Sequence, residues 1–470
     1  MRTGLSWIDE KSSELIALSK TIWEYAEVGL REERSSAALA GYLEKEGFSI
    51  DRWVGNMPTA FVASFGDGKP VIGFLGEYDA LPGLSQKAVP NREELVPGGP
   101  GHGCGHNLLG VGSLGAALGL KREIEEGRLK GTVRFYGCPA EETLIGKVFM
   151  AKAGAFDDLD AAITWHPMWL NTTWGSSSLA MNSVRFTFRG RAAHAAAAPH
   201  MGISALDAVE LMNTGANFLR EHVIQEARIH YVITKGGSEP NVVPPIAESW
   251  YYVRAPHREQ VEEIYQRLLK IADGACLMTG AGLEVKFQVG CYEFLPNQVI
   301  TQLLEESLRQ VGPPKFTPED SAFARSIEQS FTPNQKASVL GANNVPPEYW
   351  NLSLHEGVAA GFDAGKVLPG STDVGDVSWI VPTAQITTAT YVVGTAAHSW
   401  QAAAAAGMGI GQKAMIVAAK AMALAGYELF AKPELLESAK DVFRRDTGGK
   451  PYTSPLPPEM SAPIAQLEGH

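Results

Sequence analysis

A thiol and an imidazole stand two residues apart in Gly101-His102-Gly103-Cys104-Gly105-His106-Asn107, among glycines that let the backbone turn tightly. A helix-like apolar run over residues 108–120 follows at once. A loop cysteine with a pKa near ~8.5 is a poor thiolate unaided; a divalent cation ionises it and takes the neighbouring imidazole as a second ligand. The stretch therefore reads as a metal site that opens a helix. A C-x-H pair alone also describes a buried thiol beside a loop histidine, so the remaining donors must come from elsewhere in the chain.

The second chemical signal is Pro139-Ala140-Glu141-Glu142. Adjacent carboxylates are in most chains a solvated acidic turn. Here they follow a strand-like run, residues 132–136, and one can bind a cation while the other is held as a base, the division of labour of metal-assisted hydrolysis. His166 closes another short strand-like run, 161–164, and His398 stands in Gly394-Thr395-Ala396-Ala397-His398-Ser399-Trp400 before an Ala-rich helix. A single histidine so placed is more often structural; together with Cys104, His106 and Glu142 the two make a donor set of the kind zinc or manganese uses. Asp79 follows a continuous apolar run, 70–75, in Gly76-Glu77-Tyr78-Asp79-Ala80-Leu81-Pro82.

Strands buried on both faces that release polar residues at their carboxyl ends belong to an open α/β sheet. Helical periodicity covers 5–25 and 35–43, strands are expected at 60–65, 70–75, 132–136 and 161–164, and the alternation predicts a parallel-rich sheet with helices on both faces. The pattern then changes to a half-exposed strand (183–189), a helix (204–222), strands (228–234, 247–254), a helix (260–278) and a strand (283–289). That βαββαβ order describes a ferredoxin-like α+β domain. Buried-type segments resume with a helix at 299–311, a strand at 384–393 and the Ala-rich helix at 402–430. The expected organisation is a catalytic domain in two parts, 1–179 and 293–470, interrupted by an inserted domain, 180–292. Residues 312–370 receive no role, the loop up to Pro100 is long enough to cover a site, and the Pro/Ser-rich tail beyond Pro451 is expected at the periphery.

At 470 residues the chain exceeds what one core usually supports. A formal net charge of -12 without a Lys/Arg block argues against nucleic acid and anionic membranes as partners and for small molecules. Cys104, Cys138, Cys276 and Cys291 are too few and scattered for a disulfide framework, and residues 1–14 lack a secretory apolar segment; both fit a reducing cytoplasm. The segment 402–430 carries Gln412, Lys413 and Lys420 and is expected to be a buried helix rather than a membrane span.

Five motifs, in order along nearly the whole chain, resemble the metallopeptidase/amidohydrolase family of aminoacylases, carboxypeptidases and auxin-conjugate hydrolases: residues 76–83, 102–107, 139–142, Ala-Ala-His-Ala-Ala-Ala-Ala-Pro-His at 192–200, and 394–399. The resemblance implies two divalent metal ions, Mn or Zn, bridged by Cys104, with His106, Glu142, His166 and His398 completing the sites. It implies Glu141 as the general base, Asp79 behind a ligand histidine, and His194 as an oxyanion donor from a partner subunit. Asn241 in Glu-Pro-Asn-Val-Val-Pro and Arg254 in Tyr-Val-Arg-Ala-Pro resemble the positions that hold the substrate's backbone and α-carboxylate. The inserted domain becomes a lid and homodimer surface, with a related partner subunit as the alternative. The implied reaction is hydrolysis of an amide, p-aminobenzoyl-glutamate or a related N-acyl amino acid, with auxin conjugates or dipeptides as alternatives and a non-catalytic binding role as the rival. Two departures stand out: Asn107 replaces the usual Asp, and Glu77-Tyr78 precede Asp79 where many relatives have a histidine ligand.

Overall fold

The computed structural model describes residues 2–463. The first helical run is divided at Lys11 into α1 (Arg2–Glu10) and α2 (Ser12–Tyr25), followed by α3 (Glu33–Lys45). Then come β1 (Ser49–Arg52), β2 (Phe61–Asp67), β3 (Val71–Glu77), α4 (His106–Glu125), β4 (Gly131–Cys138), α5 (Gly146–Lys152), β5 (Ala161–Met168) and β6 (Thr172–Trp174). After an intervening sheet the chain adds its last strand to this one. Among the described residues the resulting sheet has seven strands, with β1 at one edge and β6 at the other.

β3 is buried along its whole length, which is why its sequence is continuously apolar rather than alternating. Its side chains still divide with period two. Ile72 and Phe74 join Phe135, Ile163 and α4's Leu114 on one face, while Val71 and Leu75 join Tyr136, Phe149 and Phe156 on the other. Each fully buried side chain of this size contributes about 1.5–3 kcal/mol. β4, β3 and β5 run parallel, so their carboxyl ends share one edge.

The intervening sheet is formed by β7 (Ala180–Arg189), α6 (Ala205–Leu219), β8 (Arg228–Lys235), β9 (Ile246–Ala255), α7 (Arg258–Thr279) and β10 (Gly282–Cys291). Its strand order is β10-β7-β9-β8, all antiparallel, the βαββαβ arrangement expected. Val184, Phe186 and Phe188 pack one face against Val209 and Met212 of α6 and Leu268 of α7.

The remainder comprises α8 (Gln298–Val311), α9 (Pro318–Gln329), α10 (Gln335–Ala342), α11 (Val374–Ser378), β11 (Thr383–Ala389), α12 (Trp400–Ala406), α13 (Gly409–Ala431) and α14 (Pro433–Asp446). β11 inserts parallel to β5 and antiparallel to β6. It ends at Ala389, not at 393: the N–H groups of Thr390 and Tyr391 both turn to the Met168 carbonyl, and Val392 and Val393 are buried as loop. The Ala-rich helix is broken at Gly407, where a Cβ would stand 2.7 Å from the Trp23 ring; Trp23 Nε1 donates to the Ala403 carbonyl at 2.8 Å. α13 is long and apolar enough to cross a membrane by length and composition, but it packs on α4 and α8, burying Ala414, Ala418 and Met422.

The tail is less peripheral than expected. Tyr452 Oη donates to Asp376 Oδ1 at 2.8 Å, Leu456 is buried, and Lys152 Nζ binds the carbonyls of Pro457, Pro458 and Met460. A Pro-rich stretch has no periodicity to announce burial. Its last seven residues, 464–470, lie outside the described residues. Part of segment 312–370 is anchored by Asn171, whose Nδ2 donates to the carbonyls of His355 and Gly357, both at 2.9 Å.

Candidate metal centre and active site

The expected donors converge at the carboxyl edge of the parallel strands, each by its own local device. Gly105, at φ 74°, starts α4 from the left-handed region. A Cβ there would come within 2.5 Å of Tyr391 Oη and 3.0 Å of Pro167, so only glycine lets Cys104 and His106 approach β5. Ala140 also has positive φ, 53°, which turns the chain sharply beyond β4 and places Glu141 and Glu142 in a short 3-10 turn. His166 lies within β5, two residues before its end, rather than beyond it. His398, at φ 54°, sits in the loop after β11, its N–H donating to the Gly103 carbonyl at 3.2 Å.

Among the described residues three groups of potential ligand atoms form, in each of which all atoms lie within 4.8 Å of one another: Cys104 with His106 and His166; Cys104 with Glu142 and His398; and Glu77 with His106 and Glu141. Cys104 Sγ is 3.5 Å from His166 Nε2, and His398 Nε2 is 3.2 Å from Glu142 Oε2. Asp79 Oδ1 accepts from His106 Nδ1 at 2.8 Å, and its Oδ2 accepts the Glu142 N–H at 2.9 Å. Asp79 thus orients two donors and leaves His106 Nε2 facing the cluster. His166 Nδ1 likewise donates to the Pro167 carbonyl at 2.9 Å, freeing Nε2.

The donor chemistry fits a pair of cations. Glu142 Oε1 is buried without a hydrogen-bond partner, and the buried His106 Nε2 and Glu77 Oε2 stand 3.2 Å apart without a hydrogen bond to each other or to another group, a costly arrangement unless something positive receives them. Burial and Glu142 oppose ionisation of Cys104, yet His106 and His166 pull its thiol down to about 6. Cys104 and Glu142 in turn push His398 up to about 10. Burial, reinforced by the charges of Glu77 and Asp373, pushes Glu141 well above the usual carboxylate range.

Other expectations divide. Asn107 does not touch the donors: its Nδ2 bonds Ser19 and the Ala406 carbonyl, tying α4 to α2 and α12. His194 and Asn241 lie together on the inserted unit, where the Ala195 N–H donates to the Asn241 carbonyl; both side chains are exposed and neither joins the donor cluster of its own chain. Arg254, on β9, reaches Ser371 Oγ at 3.4 Å.

Glu77, Lys147 and Asp373 join the site without having been expected there from the sequence. Lys147 Nζ lies 2.6 Å from Glu77 Oε1 and 2.5 Å from Asp373 Oδ1, all fully buried or nearly so, and Glu77 Oε2 is 3.2 Å from His106 Nε2. Glu77 was findable, being the last residue of a continuous apolar strand two places before Asp79. A buried lysine has no comparable signal.

Changing Asp79 to Asn keeps its volume but removes the charge behind His106. Metal affinity is expected to fall roughly 10–100-fold, as read by chelator competition; an unchanged affinity would deny Asp79 its orienting role.

The comparisons agree with this geometry. Residues 73–349 match the model of peptidase family M20/M25/M40. The chain belongs to that family and is a metal-dependent hydrolase. It is 44% identical over 457 residues, 94% of this chain and 95% of the relative, to a p-aminobenzoyl-glutamate hydrolase subunit of Escherichia coli (strain K12). It is 30% identical to the Xaa-Arg dipeptidase of Mus musculus, over 94% of this chain and 92% of the relative. A dinuclear metal-binding M20 peptidase from Bacillus subtilis shares the fold at a TM-score of 0.58 and 19% identity, covering 90% of this chain and 99% of that one.

Proposed function

We propose that the chain hydrolyses the amide bond between an acyl or aryl group and an amino acid with a free carboxylate, p-aminobenzoyl-glutamate or a closely similar compound, using manganese or zinc. The observation that carries this reading is the pair of donor groups that share Cys104, with Glu141 set against them. The name of the relative at 44% identity supports the substrate class. A dipeptide is the second reading, favoured by the Xaa-Arg dipeptidase likeness.

Cations held by Cys104, His106 and His166 and by Cys104, Glu142 and His398 would supply the charge that lowers the pKa of a water and polarises the scissile carbonyl. Glu141 takes the proton of the attacking water and returns it to the amine nitrogen as the C–N bond breaks. Asp79 fixes the tautomer of His106. His194, offered by a second copy, donates to the developing oxyanion, while Asn241 and Arg254 hold the substrate's backbone and α-carboxylate.

Residues 180–292 act as lid and homodimer surface in this reading. Support comes from the edge strand β8 with exposed Val232 and Ile233, and from exposed Phe218, Leu277 and Met278 on the adjoining helices. A mixed assembly with a related chain is the alternative, favoured by the relative's name, which makes it one subunit of its hydrolase. We place the protein in the cytoplasm because Cys104 must stay reduced to serve as a ligand, and the four cysteines are unpaired.

The test is metal-stripped protein resupplied with Mn or Zn and offered p-aminobenzoyl-glutamate, an acetyl-amino acid, an indole-acetyl-amino acid and a β-alanyl dipeptide. Metal-dependent cleavage of p-aminobenzoyl-glutamate above the others is expected. Metal uptake without cleavage of any of them overturns the substrate assignment, and failure to take up metal overturns the site.

A further inference from the structure

The inserted sheet has one face covered by α6 and α7 and, among the described residues, one without a helix. Ile229, Tyr251 and Val253 point to the covered face. Residues of the opposite parity, Arg228, His230, Tyr252 and Arg254, line a cavity of about 590 Å3 that Leu179 and residues 367–369 wall on the far side.

Register makes the charge there unusual. Arg228 is directly opposite Arg254 on the paired strands, and His230 is opposite Tyr252. Like charges so placed repel. Among the described residues neither guanidinium has a carboxylate partner within 4.0 Å. Arg228 Nη1 donates to the carbonyls of Gln225 and Ala227, at 2.6 and 2.8 Å. Arg254 Nε is buried without a partner, and the bond from its Nη1 to Ser371 is long. Glu226 is the one carboxylate among the lining residues, against two arginines. Burial and the guanidiniums of Arg254, Arg220 and Arg228 together push His230 below its ordinary range.

A chain of side-chain contacts runs from Arg254 to the donor cluster. Ser371, beneath Arg254, is two residues from Asp373, which holds Lys147, which holds Glu77 beside His106. β6 ends in Trp174, five residues before Leu179, and its ring meets His166 edge-on at 5.8 Å.

A single α-carboxylate would engage Arg254 and leave Arg228 without a carboxylate partner, with the neutral imidazole of His230 beside it as a further hydrogen-bond donor. We propose that Arg228 and His230, together with Arg254, form a subsite for a second carboxylate, so that the amino acid released by the enzyme is a dicarboxylate of the glutamate type. The apolar wall of Leu179, Leu368 and Pro369 suits its methylene stem. A basic side chain would bring another positive charge to the arginine pair and is disfavoured. This inference rests on the hydrolytic reading above and adds the residues that would read the side chain of the amine half.

The test is calorimetric binding of L-glutamate and L-glutamine to metal-loaded protein, wild type and the variants Arg228→Gln and Arg228→Lys, beside hydrolysis of p-aminobenzoyl-glutamate and p-aminobenzoyl-glutamine. A hydrogen bond to a charged group is worth about 1.5–3 kcal/mol, so wild type should prefer glutamate by roughly 10–100-fold. Arg228→Gln should erase the preference and Arg228→Lys should keep part of it. Equal binding by the wild type, or a preference that Arg228→Gln leaves intact, overturns the subsite. If glutamate is preferred through Arg228 but no amide is cleaved, the subsite stands and the hydrolytic reading falls. If both amides are cleaved equally well, the hydrolytic reading stands and the subsite falls.

Discussion

Glu141→Gln is expected to lower kcat on the amide substrate by roughly 10²–10⁴-fold, while the protein keeps its metal content. The geometry separates these effects. Glu142 is the carboxylate bonded to His398 and hydrogen-bonded through its own N–H to Asp79, whereas Glu141 Oε2 stands 3.9 Å from His106 Nε2. Glutamine fills the same volume but cannot accept the proton of the attacking water. Elemental analysis beside single-turnover kinetics checks both halves, and Glu142→Gln should lose metal as well as activity. A Glu141→Gln protein that turns over normally would remove Glu141 from the chemistry. The metal-free protein adds a sign that can be worked out. Burial, with Glu77 and Asp373 behind it, raises the Glu141 pKa on folding. The folded state therefore holds a proton that the unfolded state gives up, and stability falls as pH rises through the folded value. Glutamine removes that dependence, so the metal-free variant should gain on the wild type as pH rises.

The donor set was legible because its members have few other reasons to occur where they do. Cys104 and His106 between glycines, Glu141-Glu142 after a buried strand, and His166 and His398 each beside a tryptophan announce themselves by residue type and position. Inward-facing strands with continuous apolar runs gave the parallel sheet, and period-two alternation over 183–189 marked the change to a half-exposed one. The rest depended on contacts between distant segments. The break at Gly407 follows from where Trp23 packs, and the end of β11 from where Met168 offers its carbonyl. Lys147 was invisible for a related reason: a lysine in a sequence reads as solvent-facing, and only the two carboxylates brought from β3 and from the segment before α11 make its burial possible. Asp373, in Ser371-Thr372-Asp373-Val374-Gly375-Asp376, likewise gains its role only through that third partner.

Lys147→Met is expected to be the most damaging substitution outside the donor set. The methionine approximates the volume of the lysine but leaves Glu77 and Asp373 buried without their counter-charge. Breaking a buried pair from one side costs about 3–5 kcal/mol, because the stranded charge rather than the lost attraction dominates. At fixed scan rate, apparent Tm of the metal-free protein should fall by roughly 3–5 °C, because a chain of this length unfolds with an entropy of about 1 kcal/mol/K. The deficit should depend on pH with a definite sign. In the wild type, burial already pushes the Asp373 carboxyl up to about 6 against the pull of Lys147; without the ammonium it rises further. A carboxyl whose folded pKa exceeds its unfolded one contributes stability at low pH and loses it as pH rises through the folded value. The variant should accordingly lie nearer to wild type at pH 5 than at pH 8. Added metal should recover part of the loss, since Glu77 Oε2 lies 3.2 Å from His106 Nε2 and a cation at the cluster replaces some of the missing positive charge. A variant as stable as the wild type at pH 8 would mean that the two carboxylates do not need the lysine, and that its burial between them serves another purpose.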